Sequence, residues 1–198
     1  MTFKSKCIKT CISFKLLANN SKQQQLKRNL SKGLRLLQTY RIIEIVQTHN
    51  FPINSTKQRE DSKSMIVLMN GEKMMYSVFS QIPDLAWDLW DLSEKPTTLI
   101  LDNPRNISEN LIAADKTLGV RIIKEPFCFK LLERMKKPLV STSANISGMP
   151  TPKTFKEISP EIIKGVDYVV NLHRDKVCKN PSTIIKLSLD NQVKVIRK

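Results

Sequence analysis

Runs of apolar residues alternate with amphipathic stretches through residues 57–198. The apolar run at 66–69 predicts a buried strand. Between positions 83 and 92, apolar side chains recur at helical spacing and three aspartates lie on the opposite face, which predicts an amphipathic helix. A second helix is predicted over 126–135, because its first residue is a proline, which suits the first helical turn.

The remaining helix and strands are predicted from the same kinds of pattern, helical spacing of apolar residues and short apolar runs. A short helix begins after the N-cap Ser159 with Pro160 at its first position, and it ends at Gly165. Further strands are predicted at 97–101, 119–123, 138–141, 168–171, 183–187 and 193–196, and a turn at Asp190-Asn191 joins the last two. Because strands and helices interleave without strict alternation, the pattern predicts an α/β fold of the α+β type, a mixed sheet with covering helices.

Residues 1–56 form a different kind of sequence, and roughly the first thirty of them are rich in Lys, Ser, Asn and Gln. Within them, only residues 34–46 have the pattern of a structured element, and their apolar cluster at 42–46 fits either a helix face or a buried strand. Few acids with many Lys and Ser are also found in organelle transit peptides, although the Arg enrichment of such peptides is missing. The chain is therefore predicted to divide into a divergent basic segment, 1–56, and a domain, 57–198.

The net charge of +15 is unevenly spread. Residues 1–56 hold ten Lys and Arg and one acidic residue, whereas residues 57–198 hold 23 basic and 17 acidic residues. This excess favours polyanionic partners such as nucleotides or RNA, with a solvated basic surface as the alternative for the N-terminal segment. The cysteines are too scattered for a disulfide framework. No stretch approaches the ~18 apolar residues of a membrane span. A cytoplasmic protein is therefore predicted.

The common catalytic motifs are absent from the sequence. It contains no Walker-type phosphate loop, no GxGxxG after a strand and no HExxH. Cys7 and Cys11 have no Cys/His pair nearby to complete a zinc site, so no metal site is predicted. His49 and His173 sit in no recognisable catalytic arrangement, and we interpret them as surface or packing residues.

Two polar segments are candidates for chemistry. The first segment precedes a predicted buried strand and contains three cations, Lys57, Arg59 and Lys63, which can converge on a triphosphate. The alternative is a solvated turn, because two acidic residues lie between these cations. Residues 141–148 follow another strand with four hydroxyls, one carboxamide and one glycine. Ligands of open α/β sheets tend to bind directly after strands, where these polar groups lie. Gly148 permits a positive φ or a close approach of the backbone to a ligand. The alternative is a polar turn without function.

In order and spacing, these segments resemble the threonylcarbamoyl-AMP synthase (YrdC-like) family. The motifs that carry the resemblance are Lys57-Gln-Arg59 with Lys63, Lys95-Pro-Thr-Thr98, Gly119-Val-Arg121, Ser143-Ala-Asn145 with Ser147-Gly148, Pro181-Ser-Thr183 and Val195-Ile-Arg197. They cover residues 57–198 and imply a YrdC-like twisted mixed sheet with covering helices.

The resemblance implies a nucleotidyltransferase, L-threonylcarbamoyladenylate synthase. Such an enzyme makes threonylcarbamoyl-AMP and pyrophosphate from ATP, L-threonine and bicarbonate, toward threonylcarbamoyladenosine at position 37 of tRNA. Mg²⁺ would accompany ATP, tRNA or double-stranded RNA would be a partner, and a threonylcarbamoyl transferase machinery would act downstream. Catalysis would rest on positioning and charge neutralisation, without a covalent protein nucleophile.

The resemblance also implies roles for individual residues. Those implied to bind ATP are Lys57, Arg59, Lys63, Thr117, Asn145 and Arg197. Those implied to bind L-threonine are Arg121, Ser143 and Ser182. No residue is implied as a covalent catalyst or as a metal ligand.

Residues 1–56 depart from the family pattern, because the opening Pro-Thr-Asp-Thr signature, which helps to form the threonine pocket, is absent. Smaller departures are Ser64, where a proline is usual, and Leu68, where some members carry histidine. Three explanations fit the segment: a mistranslated or frameshifted sequence, a diverged one, or an unrelated one that fills the same role. For the fold, the corresponding alternative is an N-terminal part that is incomplete or disordered. For the function, it is a catalytically impaired protein that binds nucleotide or RNA.

Overall fold

The computed structural model describes residues 65–146, 148–166, 168–178 and 182–198, together with the backbone of residues 13–15 and 45–47. The strands are β1 (Ser13–Lys15), β2 (Ile45–Gln47), β3 (Ile66–Met69), β4 (Thr97–Asp102), β5 (Thr117–Ile122), β6 (Leu139–Thr142), β7 (Tyr168–Val169), β8 (Thr183–Leu187) and β9 (Val193–Arg197). The helices are α1 (Glu72–Val78), α2 (Asp84–Leu92), α3 (Pro126–Met135) and α4 (Pro160–Lys164), with 3-10 turns at Glu109–Leu111 and Phe155–Glu157.

Within the described residues, all nine strands form one sheet in the order β7-β1-β2-β6-β3-β5-β4-β8-β9. The pairs β1/β2, β3/β5 and β4/β8 are parallel, and the other neighbouring pairs are antiparallel. The predicted mixed sheet with covering helices is therefore confirmed. Its order departs from chain order, so strands that are distant in sequence become neighbours.

The core lies around the central strands. In β3 the consecutive residues Val67, Leu68 and Met69 are all fully buried. Because successive side chains of a strand point to opposite faces, both faces of β3 are covered. In β4 and β5, by contrast, buried leucines and valines on one face oppose threonines and an arginine on the other, and those polar side chains form the site described below.

Helix α3 shows how local sequence sets an element's limits. Pro126 occupies its first turn, and the side chain of the N-cap Glu125 accepts a hydrogen bond from Cys128 N at 2.7 Å. At the other end, Lys136 takes the left-handed conformation (φ 53°) that commonly ends helices. The helix presents an apolar face to the core and matches the predicted limits 126–135.

Most predicted elements are present with small shifts of their ends. The strand predicted at 168–171 is shorter, since β7 ends at Val169, and α1 was not predicted. Residues 45–47 are a strand, which decides between strand and helix for the end of the apolar cluster at 42–46. Both β1 and β2 belong to the N-terminal segment and pair within the sheet, while the division of the chain at residue 57 stays a prediction.

Among the described residues, no helix is long and apolar enough to cross a membrane.

Candidate anion-binding site

Four polar side chains meet on one face of the sheet, on the adjacent strands β5, β4, β8 and β9. They are Arg121 in β5, Thr98 in β4, Ser182 immediately before β8 and Arg197 at the end of β9. The register brings them to the same level, because Thr97 lies opposite Thr183 and Ile184 lies opposite Arg197. We call these four residues the guanidinium cluster.

Arg121 is a buried member of the guanidinium cluster, with 4% of its surface exposed. Its Nε and Nη2 donate to Thr98 Oγ1 at 3.0 and 2.9 Å, and Nη2 also donates to Ser182 Oγ at 2.9 Å. Burying a cation costs free energy unless hydrogen bonds compensate for lost water, and charge-assisted bonds are the strong ones. These bonds therefore both stabilise the buried guanidinium and fix its plane.

Arg197 joins the same cluster from the last strand. Its Nε donates to the carbonyl oxygen of Ser182 at 2.9 Å, and its Nη2 donates to Ser182 Oγ at 2.9 Å. Burial lowers the pKa of Arg197 from its ordinary value, yet a guanidinium remains charged at neutral pH. Two guanidinium groups thus share one serine hydroxyl.

This sharing determines what Ser182 can still do. A hydroxyl has one hydrogen to donate and two acceptor positions, and both acceptor positions of Ser182 Oγ are used by the arginines. Its hydrogen is therefore directed away from both cations. Two positive groups beside an O–H donor make a site that favours an oxyanion.

Thr117 lies on the same strand as Arg121 and, four residues earlier, on the same face. At the rise of a strand the two are about 13 Å apart. Thr117 Oγ1 donates to Asp115 Oδ1 at 2.7 Å, and Lys186 Nζ donates to Asp115 Oδ2 at 2.7 Å. The hydrogen bond from Lys186 lowers the pKa of Asp115, which stays ionised as the acceptor for Thr117.

The loop after β6 carries Ser143 and Asn145, and we call its residues 143–146 and 148–149 the β6 loop. Asn145 Nδ2 donates to the carbonyl oxygens of Ile146 and Met149, at 3.1 and 2.6 Å, so the amide closes the loop on itself. Its Oδ1 is buried and accepts no hydrogen bond from the described residues. Gly148 has φ +83°, the positive value that its sequence position allowed.

The β6 loop is anchored by a second, smaller core. Ala144 is 3% exposed and packs with Ile158 and with Ile162 of α4. Ser143, next to it, is exposed. The apolar anchor therefore holds the loop in place, with Ser143 exposed and Asn145 half-buried on either side of it.

The predicted site residues that the structure describes fall into two groups. Arg121, Ser182 and Arg197 are in contact, whereas Thr117 and the β6 loop lie toward the other end of the central strands. The register shows this, because Ile66 of β3 is opposite both Gly119 and Ser141. Lys57, Arg59 and Lys63 lie outside the described residues, and the assignment of each residue to ATP or L-threonine stays a prediction.

Thr98 belongs to the motif Lys95-Pro-Thr-Thr98 but was not predicted as a site residue. It is 1% exposed and accepts both hydrogen bonds from one edge of Arg121. The signal for it was the threonine pair at positions 97 and 98 of a strand, since alternation must turn one of the two toward the polar face. Among the described residues, no group of three or more His, Cys, Asp or Glu side chains could hold a metal ion.

Comparison with known proteins agrees with this architecture. The model of the Sua5/YciO/YrdC family, described as telomere recombination, matches residues 52–198. A Methanocaldococcus jannaschii protein with the provisional name threonylcarbamoyl-AMP synthase is 35% identical over 144 residues, which cover 72% of this chain and 66% of that protein. The threonylcarbamoyl-AMP synthase of Haemophilus ducreyi is 30% identical over 108 residues, which cover 53% of this chain and 59% of that protein.

Two solved structures share the fold. E. coli YciO has a TM-score of 0.64 at 18% identity, over 97% of this chain and 96% of that one. P. abyssi Sua5, in complex with L-threonine, has a TM-score of 0.57 at 20% identity, over 90% of this chain and 47% of that one. The chain thus spans nearly the whole of YciO but less than two thirds of the two curated relatives and about half of Sua5.

Fold and site together define a mixed α/β protein whose sheet presents paired guanidinium groups on one face. The chain belongs to the Sua5/YciO/YrdC family, as the match to residues 52–198 shows.

Proposed function

We propose that this protein is an L-threonylcarbamoyladenylate synthase, a nucleotidyltransferase that converts ATP, L-threonine and bicarbonate into threonylcarbamoyl-AMP and pyrophosphate. The observation that carries the proposal is the guanidinium cluster, in which Arg121 and Arg197 share the hydroxyl of Ser182. Relatives named threonylcarbamoyl-AMP synthase and a related structure with L-threonine support the same activity.

The proposed reaction needs positive charge more than it needs a nucleophile from the protein. Bicarbonate takes up a proton and loses water to give CO₂. The neutral threonine amine then forms a C–N bond to the carbon of CO₂, and a proton leaves the nitrogen to give the carbamate anion. A carbamate oxygen then bonds to the α-phosphorus of ATP, the bond from that phosphorus to the bridging oxygen breaks, and pyrophosphate leaves with the electron pair. Both reactants are anions, so fixed cations lower the cost of bringing them together.

The cluster suits that task at the point where the two substrates meet. In the proposal, Arg121 and the O–H of Ser182 bind the carboxylate of L-threonine, as both can donate to an anionic oxygen. Arg197, predicted to bind ATP, contacts the same hydroxyl. A residue for each substrate therefore lies within one hydrogen-bonded group, which is what transfer between those substrates requires.

The rest of the ATP site in this proposal runs along the same face toward Thr117 and Asn145, with Lys57, Arg59 and Lys63 holding phosphates. The buried Oδ1 of Asn145, which lacks a partner among the described residues, offers an acceptor for an N–H or O–H of the nucleotide. Mg²⁺ would enter as part of the ATP substrate, held by phosphate oxygens and water. The threonylcarbamoyl-AMP product would pass to a transferase that modifies tRNA, which makes tRNA a proposed partner.

Pyrophosphate release by the full chain tests the proposal. Release should require ATP, L-threonine and bicarbonate together, and omission of any one should abolish it. The matched control replaces L-threonine by L-valine, which has the same shape without the hydroxyl. Binding of ATP without pyrophosphate release would instead support the catalytically impaired alternative, and absence of both would overturn the nucleotide site itself.

A further inference from the structure

Thr97 and Thr98 are neighbours in β4 that have different hydrogen-bond partners. Both are buried, at 5% and 1% exposure. Thr97 Oγ1 turns back to the carbonyl oxygen of Lys95 at 3.1 Å, a local contact, whereas Thr98 Oγ1 accepts from Arg121 on the next strand. Alternation along the strand places only Thr98 on the polar face.

The contact between Thr98 and Arg121 has a defined geometry. One oxygen accepts from two neighbouring N–H groups, Nε and Nη2, at 3.0 and 2.9 Å. An acceptor shared in this way lies near the guanidinium plane, on the edge between those nitrogens. That edge is therefore occupied within the protein, and a ligand must meet Arg121 elsewhere on its guanidinium.

The position of Thr98 Oγ1 is itself well fixed. Threonine is branched at Cβ and has restricted χ1 freedom, and Thr98 sits in a strand that is paired on both sides, with β5 and β8. A long arginine side chain that bonds to such a point loses its rotamer freedom before any ligand arrives. Ordering that is already present in the free protein does not reduce ligand affinity.

We infer that Thr98 is a positioning residue, which sets the plane of the Arg121 guanidinium so that Arg121 receives the carboxylate of L-threonine. This inference rests on the proposed function for the substrate, but the geometry that it assigns to Thr98 concerns only the free protein. Thr98 acts through Arg121 and does not itself contact the substrate.

The experiment compares Thr98→Val, Thr98→Ser and the matched control Thr97→Val in the full chain. Thr98→Val keeps the shape but loses the acceptor, and should raise the KM and Kd for L-threonine about tenfold, the usual effect of losing a hydrogen bond to a charged group. The KM for ATP should stay within about twofold of wild type. Thr98→Ser retains the oxygen and should restore threonine binding, and Thr97→Val should leave it unchanged.

A second measurement does not depend on any substrate. The Nε–H signal of Arg121 in a ¹H–¹⁵N spectrum should be protected from solvent exchange in the wild type and in Thr98→Ser, and exchange faster in Thr98→Val. If the valine variant fails to fold, Thr98→Cys, which offers only a weak acceptor, takes its place.

The two readouts separate the inference from the proposed function. Unchanged threonine affinity together with a still protected Nε–H in Thr98→Val would overturn the positioning role. If the wild type binds no L-threonine, the proposed function fails, and the Nε–H measurement alone then decides whether Thr98 positions Arg121.

Discussion

The guanidinium cluster and the β6 loop both carry predicted ligand-binding residues, but they hold their polar groups in different ways. In the cluster, Arg121 bonds to Thr98 and Ser182, which are 23 and 61 residues away in the chain. In the loop, Asn145 bonds to residues one and four positions away. The cluster therefore depends on the whole central sheet, whereas the loop is a local turn placed by a small apolar anchor.

This difference determines how each region responds to change. Thr98, Arg121 and Ser182 satisfy one another's hydrogen bonds in a buried place, so the loss of one leaves its partner unpaired. The β6 loop is less enclosed, with Ser143 exposed and Asn145 half-buried, so water can replace some of the hydrogen bonds that a substitution removes there. We expect the loss of Arg121 from the cluster to have a large effect, and the loss of a single side chain of the loop to have a smaller effect, mainly on the substrate that it is proposed to bind.

The largest effect is expected for Arg121→Lys. Lysine keeps the charge but has no planar fork, so it cannot bond to Thr98, Ser182 and a carboxylate together. We expect kcat/KM for L-threonine to fall about 100-fold, which corresponds to roughly 3 kcal/mol. Pyrophosphate release measured against threonine concentration gives this value. Arg134→Lys, an exposed arginine of α3, is the matched control and should match wild type; a similar loss in both variants would contradict the assignment.

A smaller effect is expected for Asn145→Ala. The change removes the amide that closes the β6 loop and the Oδ1 proposed to face the nucleotide, so the Kd for ATP should rise about tenfold. Threonine affinity, measured by calorimetry, should change by less than about twofold. Asn171→Ala, at an exposed position, serves as the control. An equal loss for both substrates would mean that the loop and the cluster do not act as separate regions.

The smallest effect on activity, and a clear effect on stability, is expected at Glu125. Burial raises the pKa of this glutamate from 4.5 to about 7, although hydrogen bonds from the backbone of α3 oppose the shift. Because the folded state then binds the proton more tightly than the unfolded state, stability decreases as pH rises from about 4.5 to about 7. The arginines of the cluster do not titrate in that range.

Glu125→Gln should therefore be more stable than wild type at pH 8, by on the order of 1–3 kcal/mol, and the difference should disappear near pH 5. Urea unfolding at the two pH values measures this. Glu133→Gln, an exposed glutamate of the same helix, should show no such dependence on pH. A stability difference that is equal at both pH values would show that Glu125 is ionised throughout.

The sequence predicted well those elements whose limits depend on local chemistry. Pro126 and the N-cap Ser159 mark the starts of α3 and α4, and the structure has those helices at the predicted positions. Helix α1 was missed because it is only seven residues long, so its buried residues Met74, Met75 and Val78 have helical spacing over little more than one turn.

The site was less predictable from the residues themselves. Arg121, Ser182 and Arg197 meet because β4 lies between β5 and β8 in the sheet, and no local pattern specifies that order. The resemblance to the family implied that these three residues bind ligands, but it did not predict the contacts among them. Alternation along β4 was enough to predict that Thr98 lies on the polar face of the sheet. The strand order was needed to show that Arg121 lies beside Thr98 on the neighbouring strand β5.

The long sequence separations within the cluster also affect the time at which the site forms. Closing a chain over 61 residues costs more conformational entropy than forming a helix turn, and proteins rich in distant contacts fold more slowly. Helices such as α3 can form early from local signals, whereas the contact between Ser182 and Arg121 must wait until β5, β4 and β8 have aligned. We therefore expect the cluster to be complete only once β8 has paired, because a chain in which β8 is unpaired lacks the contact between Ser182 and Arg121.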